Sequence, residues 1–120
     1  MKLLSRPGLI TCLALLPLSA AWAAQIYLSC RFPNPPREPQ IFNFALDASS
    51  GTLGVHVPET GSERRVKAEF GTDRVTANEG AVAWEIDRSK QAVIRDKRMV
   101  GEKDRGVCRE ISAQESGFGQ

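Results

Sequence analysis

Few side chains here are of the types that do chemistry. They are a single histidine, His56, three cysteines, Cys12, Cys30 and Cys108, and a carboxylate pair, Glu85 and Asp87, two residues apart. His56 could serve a serine as general base, but no Gly-x-Ser-x-Gly elbow is present and the serines cluster in turn-like segments. On a short strand a lone outward histidine reads as a surface residue. A metal site needs three or four converging ligands, and one histidine with no spaced carboxylates does not supply them. The absence of Cys-x-x-Cys-His excludes haem attachment. Glu85 and Asp87 fall on one face of an alternating run and could do acid–base work if their surroundings split their pKa values. Beside Arg88 and Arg95 they read instead as a solvated face. No catalytic, cofactor-binding or metal-binding residue is assigned, and no cofactor is called for.

The cysteines do structural chemistry. Lys2 and Arg6 precede an apolar run from Leu9 to Leu18, and Ser19 to Ala24 are mostly small. That is the layout of a secretory signal peptide over 1–24, cleaved at Ala23 or Ala24. The apolar run is too short to span a bilayer. Cys12 lies inside it and leaves with it. Export places Cys30 and Cys108 in an oxidising compartment, where they pair. The bridge closes a loop of roughly 80 residues, which loop-closure entropy values at about 4–5 kcal/mol.

Removing Lys2 and Arg6 from the sixteen basic residues leaves fourteen against fourteen acidic ones. A neutral mature chain lacks the basic excess that phosphate backbones require, so nucleic acid is excluded as a partner. After the signal, no segment is long and apolar enough to be a membrane-spanning helix. About 96 residues remain, enough for one domain over 25–111, followed by a polar, flexible tail over 112–120.

The domain alternates apolar and polar residues in short runs. Ile26, Leu28, Cys30 and Phe32 mark the first strand, Phe42, Phe44 and Leu46 the second, and Leu53, Val55 and Val57 the third. Between the first two, Pro33, Pro35, Pro36 and Pro39 predict an unpaired, extended connection. Arg65 to Phe70 and Arg74 to Ala77 follow. Val82, Trp84 and Ile86 then face one way and Ala83, Glu85 and Asp87 the other. Gln91 to Arg95 and Gly106 to Ile111 complete about eight short strands with turn residues between them. The fold class is all-β: a small antiparallel meander barrel or sandwich, with the Cys30–Cys108 bridge fastening first strand to last.

Asp96 to Arg105 reads as a loop dense in both signs of charge, with Met99 and Val100 at its centre. An apolar pair flanked by charges can dock a partner. The candidate partner-binding residues are therefore Arg95, Lys97, Arg98, Met99, Val100, Lys103 and Arg105. Trp84, Phe42 and Phe44 face the expected interior, where they either pack as core or line a small-ligand cavity.

The signal peptide, Cys30 in the first mature strand, Ile86-Asp87-Arg88 leading into a turn and Gly106-Val107-Cys108 give a layout similar to the periplasmic and membrane-bound inhibitors of c-type lysozyme. The resemblance implies a small disulfide-bearing β-barrel that blocks lysozyme with an inserted loop. That family's loop centres on Ser-Gly followed shortly by tyrosine. Here Ser50-Gly51 is followed by Thr52-Leu53-Gly54, and the one tyrosine is Tyr27, so no inhibitory residue is carried over. The expectation is a periplasmic or secreted, non-enzymatic protein that binds another macromolecule, with a protein as partner. The alternative is a carrier of a small apolar ligand or lipid with an open barrel interior.

Overall fold

The computed structural model describes residues 25–119. The signal segment, with Cys12 and both cleavage points, lies outside the described residues, as does Gln120. Nine strands form one antiparallel sheet: β1 (Ile26–Asn34), β2 (Arg37–Asp47), β3 (Thr52–Val57), β4 (Ser62–Lys67), β5 (Glu69–Phe70), β6 (Arg74–Asn78), β7 (Val82–Asp87), β8 (Ala92–Lys97) and β9 (Glu102–Ile111). Their spatial order is β4-β3-β2-β1-β9-β8-β7-β6-β5, a meander in which the last strand pairs with the first. β4 and β5 are one extended run bent at Ala68, whose N–H donates to Gly51 O at 2.8 Å. The first half of that run pairs with β3 and the second with β6, so eight runs close the sheet into a nearly complete barrel. The expected count follows the runs rather than the paired strands.

Closure rests on β1 and β9. Cys30 lies directly opposite Cys108 in their register, and the two are joined by a disulfide. Their alternation points both sulfurs inward, where Cys30 is fully buried. An oxidised bridge of this kind marks a protein of an oxidising compartment.

The interior is built by the period-two alternation of β1, β6, β7 and β9 and by the inward apolar residues of β2, β3 and β8. Phe32, Phe44, Leu46, Leu53, Val55, Val75, Ile86 and Val93 are fully buried and Trp84 nearly so. Each such side chain contributes roughly 1.5–3 kcal/mol by leaving water. Gly106 is inward on β9, where a Cβ would come within 3.1 Å of both the Arg31 carbonyl oxygen and the Phe32 ring.

Three segments differ from the sequence expectation. The proline-rich connection is paired: β1 runs to Asn34 and β2 starts at Arg37, turning through a cis Pro35–Pro36 bond, while a register irregularity between Phe32 and Asn34 accommodates Pro33.

The charged loop is a hairpin. β8 reaches Lys97 and β9 begins at Glu102, leaving only the turn 98–101. Arg95 faces Asp104, Asp96 faces Lys103 and Lys97 faces Glu102, so the three cross-strand pairs nearest the turn carry opposite charges. The mixed signs that read as a loop are, outside the turn, a ladder.

The third difference is at the C terminus. Ser112 caps a one-turn helix, α1 (Ala113–Ser116), in a reciprocal capping box with Glu115, and Gly117 ends it in the left-handed region. The segment then folds back over β1–β3. Ser116 is fully buried, and Phe118 lies so close to Gly54 that a Cβ there would meet its ring at 2.8 Å.

Candidate functional site

The predicted partner-binding residues divide into two groups along the β8–β9 hairpin. Because β8 continues to Lys97, the inward positions are Val93, Arg95 and Lys97. Arg95 is thus inside the barrel mouth, 8% exposed, rather than on a loop or beside Glu85 and Asp87. Its guanidinium lies 4.5 Å from the Phe32 ring centroid and 5.1 Å from that of Phe42. Two of its nitrogens donate to the Asp104 carboxylate at 2.9 and 2.5 Å, and Nη2 also donates to Gln40 Oε1 at 3.0 Å. Hydrogen bonds from Arg95, with its charge and that of Lys97, hold the Asp104 carboxyl below the usual range. Lys97 Nζ is 3.8 Å from Asp104. Arg95 therefore anchors the hairpin and does not present it.

The other group is outward. Met99 and Val100 stand 81% and 65% exposed on the turn, beside exposed Arg98, with Lys103 and Arg105 exposed along β9. Val107, further along the same strand, is 66% exposed. The turn is fixed by the Val100 N–H donating to Lys97 O and the Arg98 N–H donating to Ala81 O, with Gly101 at φ 68°. An apolar pair is thus held in solvent on a backbone that is hydrogen-bonded on both sides.

The outer face beside this hairpin carries a groove of about 510 Å³. Ala68, Ala77, Ala83 and Ile94 line it together with charged Lys67, Glu69, Glu85 and Asp96, and Arg98 and Lys103 connect it to the hairpin. It borders the seam where β4 and β6 diverge. There Arg64 reaches across to Glu79 with two hydrogen bonds, at 2.6 and 2.9 Å, and the Trp84 indole N–H donates to the same carboxylate. The Arg64 hydrogen bonds, then that of Trp84, keep the Glu79 carboxyl below its ordinary range.

The residues weighed for catalysis are otherwise engaged. His56 donates from Nδ1 to the Ser116 carbonyl at 3.0 Å, under the C-terminal segment. Glu85 and Asp87 lie on the outer face and share Arg74, at 2.9 and 3.5 Å. Asp87 also accepts from the Ser89 hydroxyl, which lowers its pKa. Asp87 is held as an anion by these contacts, whereas an acid–base pair needs one carboxyl raised and held protonated. Among the described residues, no three His, Cys, Asp or Glu side chains converge as a metal-ligand group.

Phe42, Phe44 and Trp84 pack on one another and on Phe32 with centroid separations of 5.1–6.4 Å. The rings pack as part of the interior, as side chains do in small eight-stranded barrels. The seam pair Arg64–Glu79 and the C-terminal docking face were not singled out from sequence. Ser112-x-x-Glu115 is the one local signal for the latter. No family model, curated protein or solved structure matches this chain.

Proposed function

We propose that this chain is an exported, non-enzymatic binding protein of the periplasm or extracellular medium, acting on another macromolecule through the β8–β9 hairpin. The observation that carries the reading is Met99 and Val100 held in solvent on a turn whose strands are clamped by Arg95 and Asp104. A pre-ordered apolar tip binds without the entropy loss of ordering a loop. Its flanks hold exposed Arg98, Lys103 and Arg105 and half-buried Lys97 against half-buried Asp96 and exposed Glu102. A weakly cationic tip suits an acidic recess.

The concrete version is inhibition of a c-type lysozyme, because glycosidase clefts present two carboxylates and the hairpin offers cations around an apolar wedge. A cell-wall lysis assay with purified mature protein tests it. Micromolar protein is expected to slow lysis, and Met99→Asp with Val100→Asp to restore it. An unchanged lysis rate rules lysozyme out as the partner.

A further inference from the structure

The outer face of β1–β3 carries two neighbouring cross-strand rows that receive the C-terminal segment. One row runs Tyr27, Ala45, Gly54, Arg65 and the next Asn43, His56, Glu63. The first row cradles a ring. Phe118 lies over Gly54, its centroid 6.1 Å from Tyr27, with the Arg65 guanidinium 5.6 Å away. The second row grips main chain. Asn43 Nδ2 and His56 Nδ1 both donate to the Ser116 carbonyl, at 2.9 and 3.0 Å, and Glu63 accepts from the Gly119 N–H at 3.3 Å. Gly117 fits because it is at φ 78° with His56 where a Cβ would be.

This receptor is only half used. Asn43 is 5% exposed, yet its Oδ1 has no hydrogen-bond partner among the described residues. A side-chain amide is matched in full by one extended residue, whose own N–H and C=O point to the same side of the chain. The chain's own segment supplies the C=O alone. α1, at four residues, is too short to hold itself helical, so docking keeps the segment in place.

We propose that this face is a docking site for an aromatic-bearing peptide segment of a partner protein, and that Ser116–Phe118 occupies it in cis as a competitor. The preferred ligand places an aromatic ring over Gly54, a carbonyl on Asn43 Nδ2 and His56, and an N–H on Asn43 Oδ1. That last bond is worth about tenfold in affinity over a ligand without it. The surface uses different strands from the β8–β9 hairpin, so it stands whether or not the hairpin binds a partner. Its occupancy by the tail makes partner binding there conditional on tail release.

The probe is a fluorescein-labelled peptide of residues 112–120, read by anisotropy against the full exported chain. The Phe118→Ala chain, whose cradle is empty, is expected to bind it saturably. The wild-type chain is expected to bind at least about tenfold more weakly, because its tethered tail competes at high effective concentration. Gly54→Val in the Phe118→Ala background fills the cradle and abolishes binding, and a Phe118→Ala probe does not bind. Equal binding by wild type and Phe118→Ala, or binding indifferent to Gly54→Val, overturns the proposal. Should Phe118→Ala not fold, hydrogen exchange on the wild type decides. Millimolar unlabelled peptide is expected to speed exchange at 116–119, and unchanged exchange refutes the competition.

Discussion

Replacing Asp104 with asparagine isolates the contact that holds the hairpin. The substitution keeps shape and one acceptor but removes the charge facing Arg95, which is 8% exposed. Breaking a fully buried ion pair by removing one partner costs about 3–5 kcal/mol. Here the Asp104 side chain is 32% exposed, so water screens the pair. Arg95 also keeps its bond to Gln40 and the faces of Phe32 and Phe42. The expected cost is therefore lower, about 2 kcal/mol. Arg95→Met behaves differently, because it places an unbranched apolar chain between the same rings and leaves Asp104 near Lys97 at the wet side. Its expected cost is about 1 kcal/mol or less. The Arg95→Met/Asp104→Asn double variant should match Arg95→Met alone. Urea unfolding followed by fluorescence of Trp84, the one tryptophan among the described residues, measures all three. Asp104→Asn within about 0.5 kcal/mol of wild type refutes the anchoring role.

Two further predictions come from the same structure. Asp104 and Glu79 have carboxyls held below their ordinary values by Arg95 and Arg64. A depressed folded-state pKa adds stability that is present above the unfolded value and lost as pH falls towards the folded one. Stability should therefore be flat above about pH 5 and fall below about pH 4. Urea midpoints across that range should show a shallower fall in Glu79→Gln, and an identical profile contradicts the assignment. The bridge is checked by mass and by unfolding: the exported protein should weigh about 2 Da less than its reduced form. Cys30→Ala/Cys108→Ala should lose up to about 4 kcal/mol, and a free-thiol count of two on unfolding would sink the pairing.

The parts of the fold legible in sequence are those written in period two. Ile26 to Phe32, Phe42 to Leu46 and Val82 to Ile86 have inward positions that form the observed core or pack against it, and the two cysteines of the β domain were enough to join β1 to β9. Segments whose pairing depends on another strand were harder to read. Charges at 94–105 cannot be distinguished as loop or ladder until Asp104 is set opposite Arg95, and that same pairing turns Arg95 from a candidate contact residue into an interior anchor. Pro33 to Pro39 conceals a hairpin because proline lacks the N–H that a ladder uses, and only the pairing of Asn34 with Arg37 shows that two of these prolines form its turn. The C-terminal segment is polar in composition, yet it docks through a single ring and a single carbonyl. Of the candidate site, the exposed Met99–Val100 tip was visible in sequence and the groove beside it was not, because Ala68, Ala77 and Ala83 meet only across three strands.

The most direct test of the hairpin as the working surface is photocrosslinking in cells that export the protein. A photoreactive residue at position 100 samples the tip, and one at position 90, in the turn between β7 and β8 at the other end of the barrel, is the control. A discrete heavier adduct from position 100 and none from position 90 is the predicted result. Adducts from position 90 alone, or from neither, contradict it.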